Sequence, residues 1–186
     1  MKNLFFLTLI LFAGISFGDS TQTSEQSHEA RALLILFSTV QKDLLSAADA
    51  MPATKYSFVP TVGEFKDVRT FAEQLKHLGA TNHILAAAAL GENPPIDAGD
   101  EIGPSSLHTK SEIINYVKDS FLHLEKAIHA IDDPNPVVYS SPISPLRGAD
   151  ATRSGLIVEA LIHSFDHYGQ IVIYLRMNDV IPPASR

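Results

Sequence analysis

His163 and His167 stand four residues apart in the stretch "LIHSFDHYGQIVIYLRMNDVIPPAS", which is otherwise strongly apolar. On an α-helix, residues i and i+4 share a face, so two imidazoles can converge on one point, as a metal ion requires. The same spacing also describes a wet stripe. Glu159, His163, Asp166, His167, Gln170 and Tyr174 fall on one side of such a helix, with apolar residues over most of the remainder. Two readings stand: the solvated face of a core helix, which is the more usual origin of a polar stripe, or a polar site walled by hydrophobic side chains.

His77 bears on the choice. It shares a helical face with Ala80, Ile84 and Ala88, which turns it toward packed neighbours. A lone inward histidine is more often a hydrogen-bonded core residue than a ligand. One histidine from a second helix added to the pair at 163 and 167 nevertheless makes three nitrogen donors with coordination positions left open, the pattern of catalytic rather than structural zinc. A divalent ion is the implied cofactor, with zinc or nickel expected, although three imidazoles also suit iron and copper. Glu73 and Glu159 each stand one turn before a candidate ligand and are candidates for orienting a ligand or moving a proton. His83 follows His77 by six residues, about 120° out of alignment, and is not expected to join the same ion. His28, His108, His123 and His129 read as solvent-exposed. No Gly-x-Ser-x-Gly elbow, P-loop, dinucleotide glycine pattern or His-Glu-x-x-His motif is present.

Four helices must position these residues. Leu33, Phe37, Val40, Leu44 and Ala48 repeat at three- and four-residue steps, predicting a helix from about Ser24 to Ala50. A second runs from about Val68 to Leu90 and stops at Gly91. The third opens on a capping box at Thr109 and Glu112 and extends to about Ile131, with Ile113, Val117, Phe121, Leu124, Ile128 and Ile131 on one face. The fourth starts after "RGADA", capped by Asp150, and reaches about Asn178, with Ile157, Leu161, Phe165 and Val172 expected in the core. With no alternating strand pattern, the fold class is an all-α four-helix bundle. Its long connections either cross the bundle end or cover a pocket.

Residues 1–18 read as a signal peptide: Lys2 supplies the basic region, "LFFLTLILF" the apolar one, and small residues at 16 and 18 the cleavage site. Residues 19–186 then form one domain of ordinary size, exported to the periplasm or medium, a retained N-terminal anchor being the alternative. The chain has no cysteine, hence neither a lipidation thiol nor a disulfide framework. A formal charge of −7 argues against a nucleic-acid partner, whose binding needs clustered positive charge. The expected partner is a small-molecule substrate or ligand, with no stable membrane insertion after cleavage and with homodimerisation left open.

The segments "RTFAEQLKHLGATNHILAAAALGENPP" and "HSFDHYGQIVIYLRMNDVIPPAS" resemble the DinB-like (YfiT-like) superfamily, a likeness covering essentially the chain after residue 18. The resemblance implies a four-helix bundle with up-down-down-up topology and a divalent metal held by one histidine of the second helix and an H-x-x-x-H pair of the fourth. Matched by motif, these are His77, His163 and His167. Relatives include thiol-dependent transferases and isomerases, whose cosubstrates are mainly cytosolic and fit poorly with export. The reading is therefore a metal-dependent hydrolase or transferase of unspecified substrate, with a non-enzymatic ligand-binding or interaction bundle as the alternative; fold analogy alone warrants neither.

Overall fold

Each of the four long helices is started by a hydroxyl. In a computed structural model that describes residues 26–95, 98, 101–134 and 137–186, the side chains of Ser27, Thr70, Thr109 and Thr152 accept from backbone N–H groups of the turn that follows. These caps open α1 (His28–Ala50), α2 (Phe71–Leu90), α3 (Lys110–His129) and α4 (Arg153–Met177). Two are full capping boxes, Thr109 with Glu112 as expected and Thr70 with Glu73 in addition. The starts expected near Ser24, Val68 and Asp150 therefore give way to these hydroxyls; Ser24 itself lies outside the described residues. Asp150 closes a single 3-10 turn, Gly148–Asp150, and Thr152 takes the cap. α2 ends where expected, at Gly91, whose φ of +67° lets Gly91 and Glu92 return their N–H groups to Ala88 and Ala87.

Contacts between helices give their directions. From α1 to α3, Ser27 meets Asp132, Phe37 meets Phe121 and Asp49 meets Lys110, so the two run antiparallel. Between α2 and α3 the partners rise together, Asn82 with Ser120 and Glu92 with Lys126, so these two are parallel. α4 runs back along α2, with Gln170 beside Gln74, Ser164 beside Asn82 and Arg153 beside Ala89. The order is up-down-down-up, and every regular element among the described residues is helical. None is long and apolar enough to cross a membrane.

α2 is the central helix, and His77 through Ala89 are buried without interruption. Small side chains make this possible. A Cβ on Gly79 would lie 2.6 Å from the Tyr116 ring, so glycine lets α3 approach there. Buried Arg153 donates to the terminal carbonyls of Ala89 and Ala130, tying the ends of α2 and α3 to the start of α4. On α4, Ile157 and Leu161 are buried as expected, but Phe165 is 56% exposed and Val172 half-buried. The buried arc of α4 is rotated by roughly 80° from the expected face toward the histidines. Ser164, His167, Ile171 and Tyr174 fill it, while Phe165 borders an apolar groove with Leu36 and Ile162.

Candidate metal centre

The antiparallel packing of α2 on α4 brings together side chains 86 positions apart. His163 Nε2 lies 3.1 Å from His77 Nε2 and 3.1 Å from His167 Nε2. One donor atom from each of the three residues falls within 4.8 Å of the others. The stripe on α4 is thus divided: His167 is buried against buried His77 and His163 is partly buried beside them, while Asp166 is exposed.

The outer nitrogens set the tautomers. His77 Nδ1 donates to the Glu101 carbonyl at 2.5 Å, an oxygen that can only accept. Glu101 has φ +60°, a left-handed conformation uncommon for a residue with a Cβ, in presenting that carbonyl. His167 Nδ1 donates to Gln74 Oε1 at 2.6 Å. Both rings therefore carry their hydrogen on Nδ1 and offer Nε2 lone pairs toward His163. His163 differs: its Nδ1 is buried with no hydrogen-bond partner. A single proton on its Nε2 can serve only one of the two lone pairs well, so the trio as packed suits a cation at its centre.

Burial keeps the rings neutral. His163 is pushed down to about 3, first by burial and then by His167 and His77. His167 is lowered to about 4 by burial and the neighbouring His77. His77 is lowered by burial too, against the opposing pull of the Glu101 carbonyl. Neutral imidazole is the form that binds metal.

The two candidate carboxylates are not hydrogen-bonded to this trio. Glu73 is exposed, and its Oε2 accepts from Thr70 N at 2.7 Å as the return half of the capping box. That bond to the backbone holds its carboxyl below the usual range. Half-buried Glu159 accepts from Ser144 Oγ at 2.5 Å. His83 stays out of the trio, as its angular offset requires, and pairs with His123, Nδ1 to Nδ1 at 3.1 Å. His123 is thereby not solvent-exposed as expected: its side chain is 15% exposed and its Nε2 stands 3.6 Å from Glu92, because that flank of α3 meets parallel α2. His28, His108 and His129 are exposed. Two supporting groups have no signature in the sequence. Gln74 is an unremarked amide one turn before His77, and the Glu101 group that acts is backbone.

A cleft of about 590 Å³ is lined by Glu101, whose carbonyl holds His77, and by Ile84 and Ala88 of α2, while none of the three imidazoles lines it. Ser141, buried and with its hydroxyl unpartnered, also lines it.

An up-down-down-up bundle with three imidazoles from α2 and α4 placed to hold one metal ion defines a class of protein. Residues 36–171 match the profile of the DinB superfamily, and the chain belongs to that superfamily. Among solved structures, a protein from Exiguobacterium sibiricum 255-15 assigned to the DinB family superposes with a TM-score of 0.61 at 14% identity, covering 83% of this chain and 95% of that one. At that identity the likeness speaks to the fold. A search of curated proteins finds no match.

Proposed function

We propose that the protein binds one divalent ion, zinc or nickel, through Nε2 of His77, His163 and His167, and uses it in hydrolysis or group transfer on a small molecule outside the cytoplasm. The observation carrying this reading is the convergence of three neutral imidazoles, two of them held with Nε2 lone pairs facing inward. Three protein donors leave coordination positions open, which separates a catalytic from a closed structural site. A bound ion there would polarise a substrate oxygen or lower the pKa of a bound water. The chain's own contributions are distinct: the Glu101 carbonyl and Gln74 amide hold two rings in the ligating tautomer, and the cleft that shares Glu101 is the room assigned to a small substrate. Glu73 is spent on its cap, so Glu159, oriented by Ser144, is the carboxylate assigned to proton transfer. Export is supported by the composition of residues 1–18, which lie outside the described residues.

Metal content of untagged protein, compared with a His163→Ala/His167→Ala double variant, tests the site. Stoichiometric metal in the first and little in the second is expected; equal, negligible metal in both overturns it. A substrate screen on loaded protein, repeated with Glu159→Gln, then tests the chemistry: metal-dependent turnover that falls with the variant is expected, and no turnover on any ester, amide or transfer substrate favours the non-enzymatic bundle.

A further inference from the structure

Beyond the three imidazoles, a line of hydrogen bonds leads from His167 to the surface. His167 Nδ1 donates to Gln74 Oε1 at 2.6 Å, Gln74 Nε2 donates to Gln170 Oε1 at 2.9 Å, and Gln170 Nε2 donates to Asp166 Oδ2 at 2.9 Å. Gln74 is 3% exposed, so its amide has no solvent alternative. The direction of the line follows from its outer end. A carboxylate accepts and cannot donate, so Gln170 must turn its NH₂ to Asp166 and its oxygen inward. That oxygen fixes the NH₂ of Gln74, whose own oxygen then faces His167 and forces the hydrogen onto Nδ1. Reversing either amide sets oxygen against oxygen or N–H against N–H.

We propose that Asp166, Gln170 and Gln74 are positioning residues for the metal: they lock the tautomer and ring plane of His167 so that its Nε2 lone pair faces the other two imidazoles. The relay rests on the metal reading above. It explains why Asp166 and Gln170 sit on the histidine side of α4 rather than serving only as a polar rim, and it crosses between helices, since Gln74 belongs to α2. His163, with no such partner, is the one ligand whose orientation the ion itself must set.

The test is Ni²⁺ affinity, measured on the full-length metal-free protein against a competing chelator, with the visible spectrum of the Co²⁺-loaded form as a second readout. Loss of an outer partner of a ligating histidine costs about 10- to 100-fold in affinity. Gln74→Ala is expected in that range, Gln170→Ala and Asp166→Ala below it in that order, all with a shifted Co²⁺ spectrum. Gln74→Glu keeps an acceptor on Nδ1–H but sets a carboxylate oxygen against Gln170 Oε1, so it is expected to bind Ni²⁺ more tightly than Gln74→Ala and less tightly than the unaltered protein. Melting of the metal-free variants separates folding defects from ligand defects. Wild-type affinity and spectrum in both Gln170→Ala and Asp166→Ala overturn the relay, as does wild-type affinity in Gln74→Ala. Failure of the unaltered protein to take up Ni²⁺ is a different result: it removes the metal reading, and the relay with it.

Discussion

At His77 and His167 the hydrogen sits on Nδ1, so a proton and a metal ion compete for the same Nε2 lone pairs. Burial decides the pH at which that contest matters. The unfolded chain protonates its histidines near 6.5, whereas folded, metal-free His167 and His163 resist until about 4 and about 3. Between those values the unfolded state binds more protons, so stability is full above about 6.5 and is lost as pH falls toward the folded values, at up to about 1.4 kcal/mol per pH unit for each ring. Urea denaturation of metal-free protein across pH 7 to 4 is expected to show that loss, and a flat profile contradicts it. Because the folded rings stay neutral, the rise in melting temperature on adding Zn²⁺ or Ni²⁺ persists below pH 6.5 and fades only toward about 4. His77→Ala is expected to abolish most of that rise although the pair on α4 remains; His123→Ala, on the far side of α2, is expected to keep it. The opposite pattern assigns the ion to the wrong histidines.

Helix boundaries and helix faces were legible to different degrees. The third helix announces itself through Thr109 and Glu112 because both halves of its cap are local. The identical device at Thr70 and Glu73 is equally local, and it engages the Glu73 carboxylate at the start of α2. The buried face of α4 is a tertiary property. Apolar residues surround most of that helix, so periodicity alone cannot say whether the core lies at Phe165 or at Ser164 and His167; the packing of α2 decides it. Gln74 and the Glu101 carbonyl stay silent in the sequence because an amide and a backbone oxygen acquire a role only from what faces them. Three substitutions measure these statements by chemical denaturation. Ile157→Ala is expected to cost about 2 to 5 kcal/mol as a fully buried truncation. Phe165→Ala is expected to cost less than about 1 kcal/mol, since its ring is largely in water. Thr70→Ala is expected to cost about 1 kcal/mol through its cap. A large loss at Phe165 with a small one at Ile157 restores the unrotated face.

For the whole molecule, the up-down-down-up order makes two consecutive helices, α2 and α3, parallel neighbours, so the chain from 91 to 109 must return the length of the bundle between them. That return is where Glu101 contributes its carbonyl to His77. If residues 1–18 are removed on export, the N-terminus recovered from the envelope fraction lies near Asp19, and intact Met1 on most molecules indicates an anchor instead. The arrangement of α2 against α4 also has a kinetic side. The partners His77 and His163 are 86 positions apart, and closing so long a loop is an entropic cost met only when the bundle is nearly assembled. The complete three-histidine site is then absent from the folding transition state, and an interaction absent there acts on escape from the native state alone. Stopped-flow measurements are expected to show Zn²⁺ leaving the refolding rate unchanged while slowing unfolding in proportion to the stability it adds. An ion that speeds refolding instead places the meeting of α2 and α4 early, making their contact the nucleus of the fold rather than its last closure.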